Sequence, residues 1–154
     1  DICKEKKIKI QIVVGPAYEF YDLLLKRTYD DNNVEIHHST GIISSIMSQC
    51  DLAISSNGRT IFELAHMNVP TIAVPQHKRE QTHSFSSLKT GFILLNIYKK
   101  TKTGNEIGKN FKKIVNNNLL RKKLYDGMIK FNFVSNRNKV INIINETINH
   151  SNEH

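Results

Sequence analysis

Tryptophan is absent from this chain, and aromatic residues make up only 8% of it. Flat platforms on which unpaired bases could stack are therefore sparse, which argues against a nucleic-acid module. Cys3 and Cys50, the two cysteines, have neither metal-ligand spacing nor the pattern of a disulfide framework. That fits a reducing, cytoplasmic setting. No apolar run approaches the roughly 20 residues of a membrane helix, so membrane insertion is not expected. The opening Asp1-Ile2-Cys3-Lys4-Glu5-Lys6-Lys7 lacks the apolar core of a signal peptide. It also lacks an initiator Met, and a longer parent protein is the expectation that follows.

Three catalytic patterns are missing as well. There is no Gly-x-x-x-x-Gly-Lys-Ser/Thr phosphate loop. No Gly-x-Ser-x-Gly nucleophile elbow occurs, which removes the usual sign of Ser-His-Asp catalysis. Histidines 37, 38, 77 and 83 form no His-x-x-x-His pair and have no matching carboxylates, so zinc is not expected. No metal, no cofactor and no catalytic residue are therefore assigned within this chain.

What is present is ordinary globular material. A hydrophobic fraction of 39% and a charged fraction of 23% over 154 residues suit one domain with a single core. The formal charge of +8 could draw nucleic acid, anionic membranes or phosphorylated small molecules. The cations are scattered, however, over Lys4 to Lys9, Lys99 to Lys102, Lys109 to Lys113 and Arg121 to Lys123. Nucleic-acid binding requires clustering on one face, and the sequence gives no sign of it.

Short β-branched runs alternate with helix-length segments, the pattern of βα units and a parallel sheet. Strands are predicted at Ile8–Val14, Val34–His37, Leu52–Ser55, Thr71–Val74 and Phe92–Leu95. Helices are predicted from Ala17 to Arg27, burying Phe20, Leu23 and Leu24, and from Ile42 to Gln49. Two more are predicted at Arg59 to Met67 and Glu80 to Lys89. In the helical remainder, Leu120, Leu124, Met128 and Phe131 share one face. Ser135 is placed as the cap of a last helix whose Val140, Ile141, Ile144 and Ile148 face the core. The fold class is α/β, a Rossmann-like three-layer sandwich with a parallel sheet, and residues 1–154 read as one domain.

Ligands of such sheets bind beyond the carboxyl ends of the strands. Three strand ends carry unusual residues here: Gly15-Pro16, Ser55 to Thr60, and Pro75 to His83. In the middle one, Ser56, Asn57 and Gly58 make a tight turn into a helix opening at Arg59 and Thr60. The first N–H groups of that helix favour a phosphate, and the Thr60 hydroxyl is a further donor. Glu63, one turn on, shares a face with Arg59 and Thr60 and can accept bonds from vicinal hydroxyls such as those of a ribose. Ile61, Leu64 and Ala65 form the buried face. An ordinary cap, with Arg59 and Glu63 as a surface ion pair, accounts for the same residues. The loop Pro75-Gln76-His77-Lys78-Arg79-Glu80-Gln81-Thr82-His83 is dense in hydrogen-bonding groups, and its plain reading is a solvated connector.

The stretch from Cys50 through Ser56-Asn57-Gly58-Arg59-Thr60-Ile61-Phe62-Glu63-Leu64-Ala65, followed by Val69-Pro70-Thr71-Ile72, resembles the C-terminal half of GT-B-type nucleotide-sugar enzymes. It looks most like the UDP-sugar hydrolases of pseudaminic acid biosynthesis and the related spore-coat polysaccharide proteins. The N-acetylglucosaminyltransferases that make lipid II are more distant. The likeness runs from Ile10 through Ile148 and is most specific between Asp51 and Pro75.

The resemblance implies that Gly15 and Ser56, Asn57, Gly58, Arg59 and Thr60 face the diphosphate. It gives the ribose to Glu63 and the uracil to Ile42 and Ile43. The loop residues Gln76, Glu80, Gln81 and His83 go to the sugar and phosphates. Asn57-Gly58-Arg59 departs from the commoner small-residue run, and His83 stands where Asn is expected, so the sugar stays open.

The resemblance further implies a UDP-sugar or UDP as ligand and a missing N-terminal catalytic half as partner, so that this chain binds without turning over. Three functions remain. The first is the C-terminal half of a UDP-sugar hydrolase in nonulosonic acid or surface polysaccharide synthesis. The second is the donor-binding domain of a GT-B glycosyltransferase. The third is a non-catalytic nucleotide or nucleic-acid binding module.

Overall fold

The computed structural model describes residues 2–131 and 133–151. Contacts divide the chain into two compact units, Asp1–Cys50 and Asp51–His154. The described elements run, in order, α1 (Ile2–Glu5), β1 (Ile10–Val14), α2 (Tyr21–Thr28), β2 (Val34–His38), α3 (Ile43–Ser48), β3 (Ala53–Ser56) and α4 (Thr60–His66). They continue with β4 (Thr71–Val74), α5 (Lys78–Gln81), β5 (Phe92–Leu94), α6 (Thr103–Val115), α7 (Asn118–Met128) and α8 (Phe133–Ser151). All five strands fall where the β-branched runs predict, and every pairing among them is parallel. The protein is α/β, as the alternation of periods requires.

The first unit holds a two-stranded ladder in which Ile10 lies opposite Val34 and Val14 opposite His38. Parallel strands need a crossover connection, and α2 supplies it. This helix differs from its sequence reading in two respects. It starts at Tyr21, because the preceding chain turns at Tyr18, whose N–H donates to the Gly15 carbonyl. It also buries no residue, and Phe20 and Leu23 are exposed, with Leu24 half-buried. The Tyr21 ring instead stacks on His38 at 4.3 Å between centroids.

In the second unit the strand order is β3-β4-β5. The central strand is buried along its whole length, so Thr71-Ile72-Ala73-Val74 has no polar face to show. Its alternating side chains feed two core clusters. Ala73 joins Ile61 and Ala65 of α4, Phe92 and Met128. Ile72 and Val74 join Ile114 of α6 and Leu124 of α7. Leu124 and Met128 are fully buried, Leu120 is packed against the second cluster, and the Phe131 ring rests on Phe85, as their spacing predicts. Each such side chain contributes roughly 1.5–3 kcal/mol by leaving water.

Close packing of α7 on the start of β5 depends on two glycines. Gly91 has φ +90, and a β-carbon there would come within 2.3 Å of Met128 Cγ and 2.6 Å of the Leu124 carbonyl oxygen. A β-carbon on Gly127 would come within 2.7 Å of the Gly91 nitrogen.

Two further helices differ from expectation. The predicted helix over Glu80 to Lys89 is a single turn, α5, followed by a loop and a 3-10 turn at Leu88–Thr90. Its ladder stops because the Glu80 carbonyl accepts from the Asn57 side chain and from His83 N–H. The last helix begins at Phe133, so Ser135 lies inside it and does not cap it. Val140, Ile141, Ile144 and Ile148 are exposed instead of facing the core. The start of α8 is held by ring contacts of Phe133 with His66 and Phe131, and its later turns leave the core behind. None of the described helices is long and apolar enough to cross a membrane.

Candidate functional site

The site is built where β3 runs out. Ser56 closes the strand, Asn57 and Gly58 turn the chain, and Arg59 already has helical angles ahead of Thr60. Ile61, Leu64 and Ala65 are buried, as their spacing predicts, and they fasten α4 to the sheet. That rotation leaves Arg59 and Glu63 exposed and Thr60 half-buried at the mouth of the turn. Among the described residues Arg59 and Glu63 do not pair with each other or with another charged group. The surface ion pair is thus not formed, and both side chains remain available.

Asn57 departs from the expectation that it faces a ligand. It is fully buried, and both ends of its amide are used inside the protein. Nδ2 donates to the Glu80 carbonyl at 2.6 Å, and Oδ1 accepts from the buried Ser86 hydroxyl. Its own carbonyl accepts from His83 Nδ1 at 2.7 Å. A carbonyl only accepts, so Nδ1 carries the proton and Nε2 is the remaining polar atom of that ring. The side chain is a rivet: one residue of the first loop holds three residues of the second. Backbone groups of the turn, not this amide, are what a ligand can meet.

The third strand-end loop is therefore no free connector. Glu80 turns its carboxylate back over the turn. Its Oε2 accepts from Gln76 N–H at 2.8 Å, and His77 Nδ1 stands 4.0 Å from Oε1. A β-carbon on Gly58 would lie 3.2 Å from Glu80 Oε1 and 3.4 Å from Ser56 Oγ. Gly58 does not have a positive φ. Its lack of a side chain serves the close approach of Glu80. The Gln76 amide donates to the Val74 carbonyl at 3.0 Å, which fixes the exit from β4.

Gln81 is exposed and lines a cavity of about 310 Å³ together with Asn96, Ile97, Lys99, Lys102, Thr103 and Glu106. The two lysines read in sequence as part of a scattered basic composition. Nothing in their spacing announces that the chain after β5 folds against the same rim. Ser86 was equally silent, because a serine between aromatic and polar neighbours gives no sign of the buried amide that it meets.

Gly15, Ile42 and Ile43 belong to the first unit. Gly15 follows β1, is exposed, and has open space around its α-carbon. Ile42 precedes α3, donates its N–H to the Thr40 hydroxyl oxygen at 3.2 Å, and has an exposed side chain, as does Ile43. In the same unit His37 Nε2 meets Gln11 Oε1 at 3.0 Å. No group of three or more His, Cys, Asp or Glu side chains that could hold a metal occurs among the described residues.

The family model described as glycosyltransferase family 28 C-terminal domain matches residues 1–144. The uncharacterized protein MJ1062 of Methanocaldococcus jannaschii is 26% identical over 83 residues, which are 52% of this chain and 17% of that protein. The chain thus matches well under a fifth of that relative's length. No solved structure matches.

Proposed function

Since this chain belongs to the glycosyltransferase family 28 C-terminal domains, a nucleotide-sugar-binding half of the GT-B type, we propose that its ligand is a UDP-sugar. The observation that carries the reading is the riveting of the β3–α4 turn to the loop after β4 by Asn57. It gives two strand-end loops of one sheet a fixed mutual geometry, at the rim where α/β sheets bind ligands.

In this reading the backbone of Ser56, Gly58, Arg59 and Thr60 receives the diphosphate, with the Arg59 guanidinium and the Thr60 hydroxyl beside it. Glu63, exposed one turn along α4, accepts from the ribose hydroxyls. Glu80 is an anion at the same turn, so its part is to accept from sugar hydroxyls, with Gln76, Gln81 and His83 completing that loop. From the resemblance alone, Gly15 is assigned to the diphosphate and Ile42 and Ile43 to the uracil. The match across residues 1–144 supports treating both units as one domain.

The chemistry needs a partner half. Negative charge grows on the diphosphate as the sugar leaves, and the turn with Arg59 stabilises it. A base from the N-terminal half activates an acceptor hydroxyl, or water. The family match favours transfer to an acceptor. Hydrolysis within surface-glycan synthesis is supported by the resemblance of Cys50 to Ala65. Product analysis of the complete protein separates them, as a glycoconjugate or as free sugar.

Glu63→Ala tests the ribose assignment by calorimetry with UDP. An affinity loss of about tenfold is expected for a lost charged acceptor. Unchanged binding removes Glu63 from the site.

A further inference from the structure

The cavity beside Gln81 is built by the chain that leaves β5. Tyr98 N–H donates to the Pro75 carbonyl at 2.8 Å, which hooks this segment onto the end of β4. The turn then closes on itself: Lys99 N–H donates to the buried Thr103 hydroxyl at 2.8 Å, and the N–H groups of Lys102 and Thr103 each reach the Lys99 carbonyl at 3.0 Å. Lys99 and Lys102 are thereby brought to one opening, at the carboxyl ends of β4 and β5. Neither forms an ion pair among the described residues.

The lining has a definite chemistry. Two lysines and one carboxylate, Glu106, line it, which leaves a single excess positive charge. Gln81 and Asn96 add amides that both donate and accept, and Ile97 adds an apolar wall. A volume of about 310 Å³ lies at the small end of the range for ligand sites. Amides and a carboxylate suit hydroxyls, whereas paired ammonium groups suit an anion. One excess charge balances a carboxylate, while a phosphate dianion would meet Glu106 unbalanced.

We propose that this cavity is the sugar subsite and that Lys99 and Lys102 select a donor whose sugar bears a carboxylate. The inference rests on the donor-binding reading, because Gln81 belongs both to this cavity and to the loop riveted to the diphosphate turn. It adds the class of sugar.

Calorimetry on the full chain, with UDP, UDP-glucose and UDP-glucuronate as probes, tests it. The intact protein binds UDP-glucuronate about tenfold more tightly than UDP-glucose, the effect of one well-placed charge. In the Lys99→Gln, Lys102→Gln double variant that preference vanishes, while UDP, which has no sugar to place in the cavity, still binds. Equal binding of the two sugars by the intact protein overturns the proposal, as does a preference that survives the double variant. If UDP itself fails to bind, the donor-binding reading falls and this inference falls with it. If UDP binds without a preference, only the acidic-sugar assignment falls.

Discussion

The Glu80 carboxylate stands over Gly58, with Oε1 3.2 Å from the place where a β-carbon would be. The turn between β3 and α4 therefore already has an anion against it, supplied by the protein's own second loop. That carboxylate is held by Gln76 N–H and is only 14% exposed, so water screens it little.

A second anion at this turn is opposed by the first. Replacing Glu80 by Gln removes the charge and keeps an oxygen for Gln76 N–H. UDP is expected to bind Glu80→Gln about fivefold more tightly, close to 1 kcal/mol of relieved repulsion. Calorimetry at low and high salt reads it. An affinity that falls instead places the diphosphate away from Gly58.

Asn57 is the most costly polar residue to remove in the site. Asn57→Ala strands the buried Ser86 hydroxyl and leaves the Glu80 carbonyl with His83 N–H alone, while the bond from the His83 ring to the backbone carbonyl remains. A loss of about 2 kcal/mol is expected from one buried hydroxyl left unpaired and one further hydrogen bond removed. Urea unfolding measures it, and hydrogen exchange should show the 76–86 loop loosened first. A variant as stable as the parent means that the rivet is dispensable.

Gly91 accepts no side chain. Its φ of +90 and the 2.6 Å approach to the Leu124 carbonyl leave backbone, not a flexible side chain, in the way. Gly91→Ala is expected to cost at least about 3 kcal/mol through strain and overpacking of α7 on β5. Thermal unfolding reads the change. Gly104→Ala, where nothing lies within 4 Å of the added carbon, is the matched control.

Residue periodicity alone determined the alternation of strands and helices, the inward face Ile61, Leu64 and Ala65, and the row Leu120, Leu124, Met128. These follow from whether a side chain leaves water, which repeats with the period of its own element. Tertiary structure decided the rest. Asn57 found partners 23 to 29 residues away, in Glu80, His83 and Ser86, and that same bonding cut the predicted helix over Glu80 to Lys89 to one turn. The apolar side of α8 has the period of a core helix, yet its later turns extend past the element that would cover them. Local sequence encodes which face is apolar, whereas the partner of a buried amide, or the cover of an apolar stripe, is fixed only when distant segments meet.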